Sequence, residues 1–101
     1  MRLSPEQQHA IHRAVVETFG PESGVWLFGS RTDDSARGGD IDLLIDTPMR
    51  DPDRIVQAEI ALRARLEAEL GEQKIDLLVD YPGRRRHPPI FQVAREEGIP
   101  L

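Results

Sequence analysis

The fold turns on Asp40-Ile41-Asp42-Leu43-Leu44-Ile45-Asp46, a run too short and too rich in branched apolar residues for a helix, which predicts a β-strand. Side chains alternate across a strand, so Asp40 and Asp42 share one face while Ile41, Leu43 and Ile45 share the other. The hexapeptide Ile41-Asp42-Leu43-Leu44-Ile45-Asp46 returns almost unchanged as Ile75-Asp76-Leu77-Leu78-Val79-Asp80, within a further strand predicted over residues 74–79. The segments around the two copies differ, which excludes a solenoid of stacked repeats.

Working outward, Val25-Trp26-Leu27-Phe28 is a short apolar run closed by Gly29-Ser30, and it predicts a buried strand ahead of the first acidic one. The polar stretch over residues 32–39 reads as an exposed connection. Upstream, Ser4, Pro5 and Gln7 form a capping box, and Ala10, Ile11, Ala14, Val15 and Thr18 follow at helical spacing until Gly20-Pro21. After the breaker Thr47-Pro48-Met49-Arg50-Asp51-Pro52, Asp53 is a candidate cap. It would start a helix whose apolar positions are Ile55, Ile60, Leu62, Leu66 and Leu70, ending at Gly71. A last short helix is expected over residues 88–97, ahead of Gly98. Strands alternating with helices predict one domain over residues 1–101 of α/β (α+β) class, a small mixed β-sheet flanked by helices.

Composition narrows the function. The 101 residues carry 13 Lys and Arg against 18 Asp and Glu, a formal charge of -5, which repels nucleic-acid backbone and anionic lipid. A hydrophobic content of 39% is that of an ordinary globular domain and argues against disorder. The chain has no cysteine, which excludes disulfides, thiolate metal sites and thiol nucleophiles. No apolar signal region opens it and no segment approaches a membrane span, so a soluble cytoplasmic protein is expected, with neither membrane nor nucleic acid as partner.

If the two acidic strands pair side by side with Ile41/Ile75, Leu43/Leu77 and Ile45/Val79 in register, Asp76 points toward the same end as Asp40 and Asp42. Clustered carboxylates repel and take up protons unless a cation neutralises them. Oxygen ligands without His or Cys select Mg²⁺ or Mn²⁺, which share their shell with substrate phosphates. Two such ions about 3.5–4 Å apart clamp the attacking and leaving oxygens of a phosphoryl or nucleotidyl displacement. The bland alternative is that Asp40 caps the strand start while Asp42 and Asp76 are solvent-facing positions on a half-exposed sheet.

Gly29-Ser30 stands where a buried strand should end, so its backbone amides and the Ser30 hydroxyl can face a phosphate. With Phe28-Gly29-Ser30-Arg31 followed by Ala36-Arg37-Gly38-Gly39-Asp40-Ile41-Asp42-Leu43-Leu44, the chain resembles the polymerase beta type nucleotidyltransferases. Its size is that of their minimal nucleotidyltransferase (MNT) group, and Asp76 falls where the family carries its third carboxylate. The sequence departs from the pattern at Gly39, where many members have a serine. The resemblance implies two Mg²⁺ ions (Mn²⁺ as substitute) and ATP as nucleoside triphosphate donor, with AMP passed to an acceptor hydroxyl. It assigns Gly29 and Ser30 to the triphosphate, with Arg31 as a further phosphate contact, and Asp40, Asp42 and Asp76 to metal binding and catalysis. It also implies a partner, a small helical HEPN protein, the pair acting as toxin and antitoxin with adenylylation silencing the toxin. The rival from another class is a non-catalytic binding module that masks a partner's surface.

Other candidates carry less. Arg84-Arg85-Arg86-His87 is a basic cluster without aromatic interleaving and reads as a solvated loop. His9 and His12 lack further ligands at metal-binding spacing and read as surface residues. Trp26 reads as core rather than a base-stacking platform.

Overall fold

The computed structural model describes residues 3–29, 41–71, 74–84 and 86–101. The predicted connection over residues 32–39, together with Ser30, Arg31, Asp40 and Arg85, lies outside the described residues. The elements run α1 (Pro5–Phe19), β1 (Gly24–Phe28), β2 (Ile41–Asp46), α2 (Pro52–Leu70), β3 (Ile75–Asp80), α3 (Pro89–Glu97) and β4 (Ile99–Pro100). They form an α+β fold around one mixed sheet of order β3-β2-β1-β4. The two near-identical hexapeptides are neighbours: β2 and β3 run parallel, with Ile41 opposite Ile75 and each following residue opposite its copy through Asp46 and Asp80. β1 runs antiparallel to both β2 and β4.

Alternation on these strands builds two cores. One face sends Val25, Leu27, Ile41, Leu43, Ile45, Ile75 and Val79 toward α1 and α2, whose buried positions include Ile11, Val15, Phe19, Leu62 and Leu66. Ion pairs Arg13–Glu69 (3.2 Å) and Glu17–Arg65 set the two helices antiparallel. Both are exposed and contribute little. On the opposite face Leu44, Trp26, Phe28 and Leu78 meet Phe91 and Ala94 of α3. Gly98 makes the exit from α3 possible: a Cβ there would lie 2.1 Å from the Ala94 carbonyl oxygen and 3.0 Å from that of Leu27. The chain then runs alongside β1 as β4, and the Leu101 amide donates to the Val25 carbonyl at 2.9 Å.

The capping box on α1 is present: the Gln7 amide donates to Ser4 Oγ at 3.1 Å and the Ser4 amide to Gln7 Oε1 at 3.0 Å. Several expectations shift. The cap of α2 is Asp51 rather than Asp53, because Pro52 takes the first helical position and the Asp53 amide donates to Asp51 Oδ1 at 3.0 Å. Ile60 is 66% exposed, since the buried stripe of α2 runs through Ile55, Ala58, Leu62 and Leu66 and position 60 falls between its turns. In α1, Phe19 is buried and the Thr18 hydroxyl instead donates to the Ala14 carbonyl at 2.8 Å. The first strand is buried on alternate residues only, and β4 was not expected. Among the described residues, no helix is long and apolar enough to cross a membrane.

Of the basic segment after β3, Arg86 and His87 are exposed as expected, whereas Arg84 is half-buried and tied to the fold. The Arg84 guanidinium lies 4.6 Å from the Phe91 ring centroid, and His87 Nδ1 lies 2.7 Å from Asp80 Oδ1. Arg95, in the last turn of α3, donates to Asp80 Oδ2 at 2.6 Å and lies 3.4 Å from Asp46 Oδ2. One guanidinium therefore holds the two acids that end the parallel strands, and pins α3 to them. Asp80 is only 5% exposed. Burial opposes its ionisation, but the hydrogen bonds from Arg95 and His87, with their charges, outweigh it and hold its pKa below the ordinary carboxylate value.

A lowered native pKa stabilises the fold above the unfolded value, near pH 4, and that contribution disappears as pH falls through the native value. Urea denaturation should therefore show Arg95→Ala about 1–3 kcal/mol less stable than the parent at pH 7. The gap between them should close on acidification below about pH 4 as Asp80 takes up its proton.

Candidate functional site

The sheet face that carries α3 is laid out in three tiers, read from the strand registers. Phe28, Asp42 and Asp76 form the first, Trp26, Leu44 and Leu78 the second, and Gly24, Asp46 and Asp80 the third. The middle tier is the apolar floor under Phe91 and Ala94. The outer tiers each present two aspartates side by side, a direct result of laying one Ile-Asp-Leu-Leu-x-Asp copy beside the other. Neighbouring strands stand about 4.8 Å apart, so each acid pair places two carboxylates within reach of one cation. Like charges in lateral register destabilise a sheet by roughly 0.2–1 kcal/mol unless something offsets them. For the third tier the offset is Arg95.

The first tier has different surroundings. Asp42 is half-buried and Asp76 exposed, and Asp42 lies against the turn that ends β1 at Gly29. Gly29 has φ +80°. A Cβ built on it would lie 2.3 Å from Asp42 Oδ2 and 3.2 Å from its Cγ. The space a side chain would fill is thus taken by the Asp42 carboxylate, so the glycine both makes the turn and lets the acid lie against the backbone. That role was not readable from the sequence, which pointed at Gly29 for its amide and for close approach of the backbone to a phosphate.

Of the six site residues proposed from the sequence, Gly29, Asp42 and Asp76 are described and come together at one end of one sheet face. Ser30, Arg31 and Asp40 lie outside the described residues. Among the described residues, no three His, Cys, Asp or Glu side chains gather into a metal-sized group. Asp42 and Asp76 supply two carboxylates of the hard-oxygen type that suits Mg²⁺ or Mn²⁺, and Asp40, two residues before Asp42 in the sequence, is the sequence's candidate for a third. His9 and His12 are exposed on α1, and Trp26 packs half-buried under α3. No family model matches the chain, and no curated protein matches it in sequence.

The Gly29 and Asp42 contact is testable without any ligand. Gly29→Ala should lower stability by about 1–2 kcal/mol from its left-handed backbone, with an added loss from the displaced carboxylate. A double-mutant cycle with Asp42→Ala, read by urea denaturation, should remove that added loss and leave the backbone cost.

Proposed function

We propose that this chain is a metal-dependent nucleotidyltransferase of the minimal, polymerase beta type, moving AMP from ATP to an acceptor hydroxyl. The observation that carries the reading is the lateral pairing of Asp42 with Asp76 on one face, against the side-chain-free turn at Gly29. The resemblance of Phe28-Gly29-Ser30-Arg31 and Asp40-Ile41-Asp42 to that family supplies the rest.

In this reading Asp40, Asp42 and Asp76 hold two Mg²⁺ ions, with Mn²⁺ as substitute. The ions supply charge neutralisation on the triphosphate and a lowered pKa at the acceptor hydroxyl. Gly29 and Ser30 orient the triphosphate through backbone amides and the Ser30 hydroxyl, and Arg31 offers a further cation to it. Asp76, exposed where Asp42 is half-buried, is the acid that would draw the proton from the acceptor oxygen. The acceptor oxygen bonds to the α-phosphorus as the bond to the bridging oxygen breaks, and pyrophosphate leaves with that electron pair. A net charge of -5 disfavours RNA as acceptor, so the hydroxyl is assigned to a protein, a small helical HEPN-type partner whose toxicity the transfer would silence.

A second reading, a module that neutralises its partner by covering it, is favoured by the exposed apolar side chains Val56 and Ile60 on α2 and Ile90 and Val93 on α3. Incubation of the chain and purified partner with labelled ATP and Mg²⁺ separates the two. Transfer to the partner is expected, with Asp42→Asn and Asp76→Asn each lowering it at least about 100-fold and chelation of the metal abolishing it. If the Asp→Asn variants neutralise the partner as well as the parent does, covering is the mechanism and transfer is not.

A further inference from the structure

β3 is an outer strand of the described sheet. Backbone groups alternate along it, and Lys74 and Asp80 turn their carbonyls inward to accept from Ile41 (2.9 Å) and Thr47 (3.0 Å). The odd-numbered residues Ile75, Leu77 and Val79 therefore turn theirs outward. An outer edge of this kind is a template for a strand from another chain. Here two of the outward carbonyls accept from arginine side chains: Arg63 Nη1 donates to Ile75 O at 2.5 Å, and Arg84 Nη1 to Val79 O at 3.0 Å.

The two arginines reach the edge from different layers. Arg63 comes from α2, which packs on one face of the sheet. Arg84 comes from the turn after β3 and is braced on the other face by the Phe91 ring, with its Nε donating to the Arg86 carbonyl at 2.6 Å. Glu59, one helical turn before Arg63, is the acid on which both positive charges act. Burial raises its pKa above the ordinary carboxylate value against their pull.

We propose that Arg63 and Arg84 stand in for a neighbouring strand, holding β3 in register and closing its outer edge to pairing with a second copy of this chain. A strand approaching the edge meets two guanidinium groups, bonded to carbonyls about 13 Å apart that it would need at both ends of the ladder. Since Asp76 directly follows Ile75, Arg63 is also a positioning residue for the exposed member of the candidate acid pair. That last point alone rests on the proposed function.

The test uses the full chain and two measurements that contain no nucleotide. In Arg63→Ala, amide hydrogen exchange at Asp76 and Leu78 should quicken about five- to tenfold, the equivalent of one lost hydrogen bond, while Leu44 in β2 keeps its rate. Arg63→Lys, which keeps a donor, should restore most of the protection. In concentration-dependent sizing the parent should stay monomeric and the Arg63→Ala/Arg84→Ala variant should dimerise. Arg63→Ala/Arg84→Met, which keeps an apolar stem against Phe91, reads the same edge if the double alanine fails to fold. Unchanged exchange at Asp76 and Leu78 in Arg63→Ala would overturn the positioning role. A parent that dimerises through β3, or a folded double variant that stays monomeric, would overturn edge closure. Either result stands whether or not nucleotide transfer is observed.

Discussion

Everything in this molecule depends on β2 lying parallel and in register against β3, one near-copy beside the other. That pairing aligns the apolar rows Ile41/Ile75, Leu43/Leu77 and Ile45/Val79 against the α1 and α2 layer. It also unavoidably aligns the acids. A shift of a single residue would carry the whole apolar set to the other face, so the register is fixed by burial, and the two carboxylate pairs come with it. The fold answers the pair at the C-terminal ends with Arg95, which at once pairs with Asp46 and Asp80 and anchors α3. At the other end Asp42 is set against the backbone of a glycine turn, with Asp76 beside it on the next strand.

The two ends therefore serve different purposes with the same residues. Asp80 is nearly buried, hydrogen-bonded by Arg95 with His87 beside it, and acts as a structural anion. Asp76 occupies the equivalent position one tier-pair away and is exposed to solvent. Position on the sheet, not residue type, separates scaffold from candidate chemistry.

Much of the architecture was legible in the sequence because it rests on local signals. The capping box of α1, the glycines that end the helices and the alternating acidic strands each follow from a short-range rule, and the repeat indicated the register of β2 and β3 if they paired, though not the strand order or direction. What was misread was in part a local competition and in part the outcome of contacts between distant segments. Asp51 outcompetes Asp53 as a cap only because Pro52 fits the first helical position, and Ile60 leaves the core because Ala58, a small residue, lies on the stripe that faces the sheet. The basic run after β3 reads as solvent-facing until Phe91, from the next helix, is seen beneath Arg84. In the site, the pairing of Asp42 and Asp76 followed from the repeat, whereas the role of Gly29 as room for a carboxylate needed three-dimensional packing to be seen.

The likeness of the two acidic strands has one more effect, on how the chain reaches its native state. To β1, Ile41–Asp46 and Ile75–Asp80 present nearly the same template, with Leu44 and Ile45 in one matched by Leu78 and Val79 in the other. A collapsing polypeptide thus offers β1 a second strand of like pattern, held off by the longer loop that pairing with it must close. A competing template of this kind adds local ruggedness to the folding landscape.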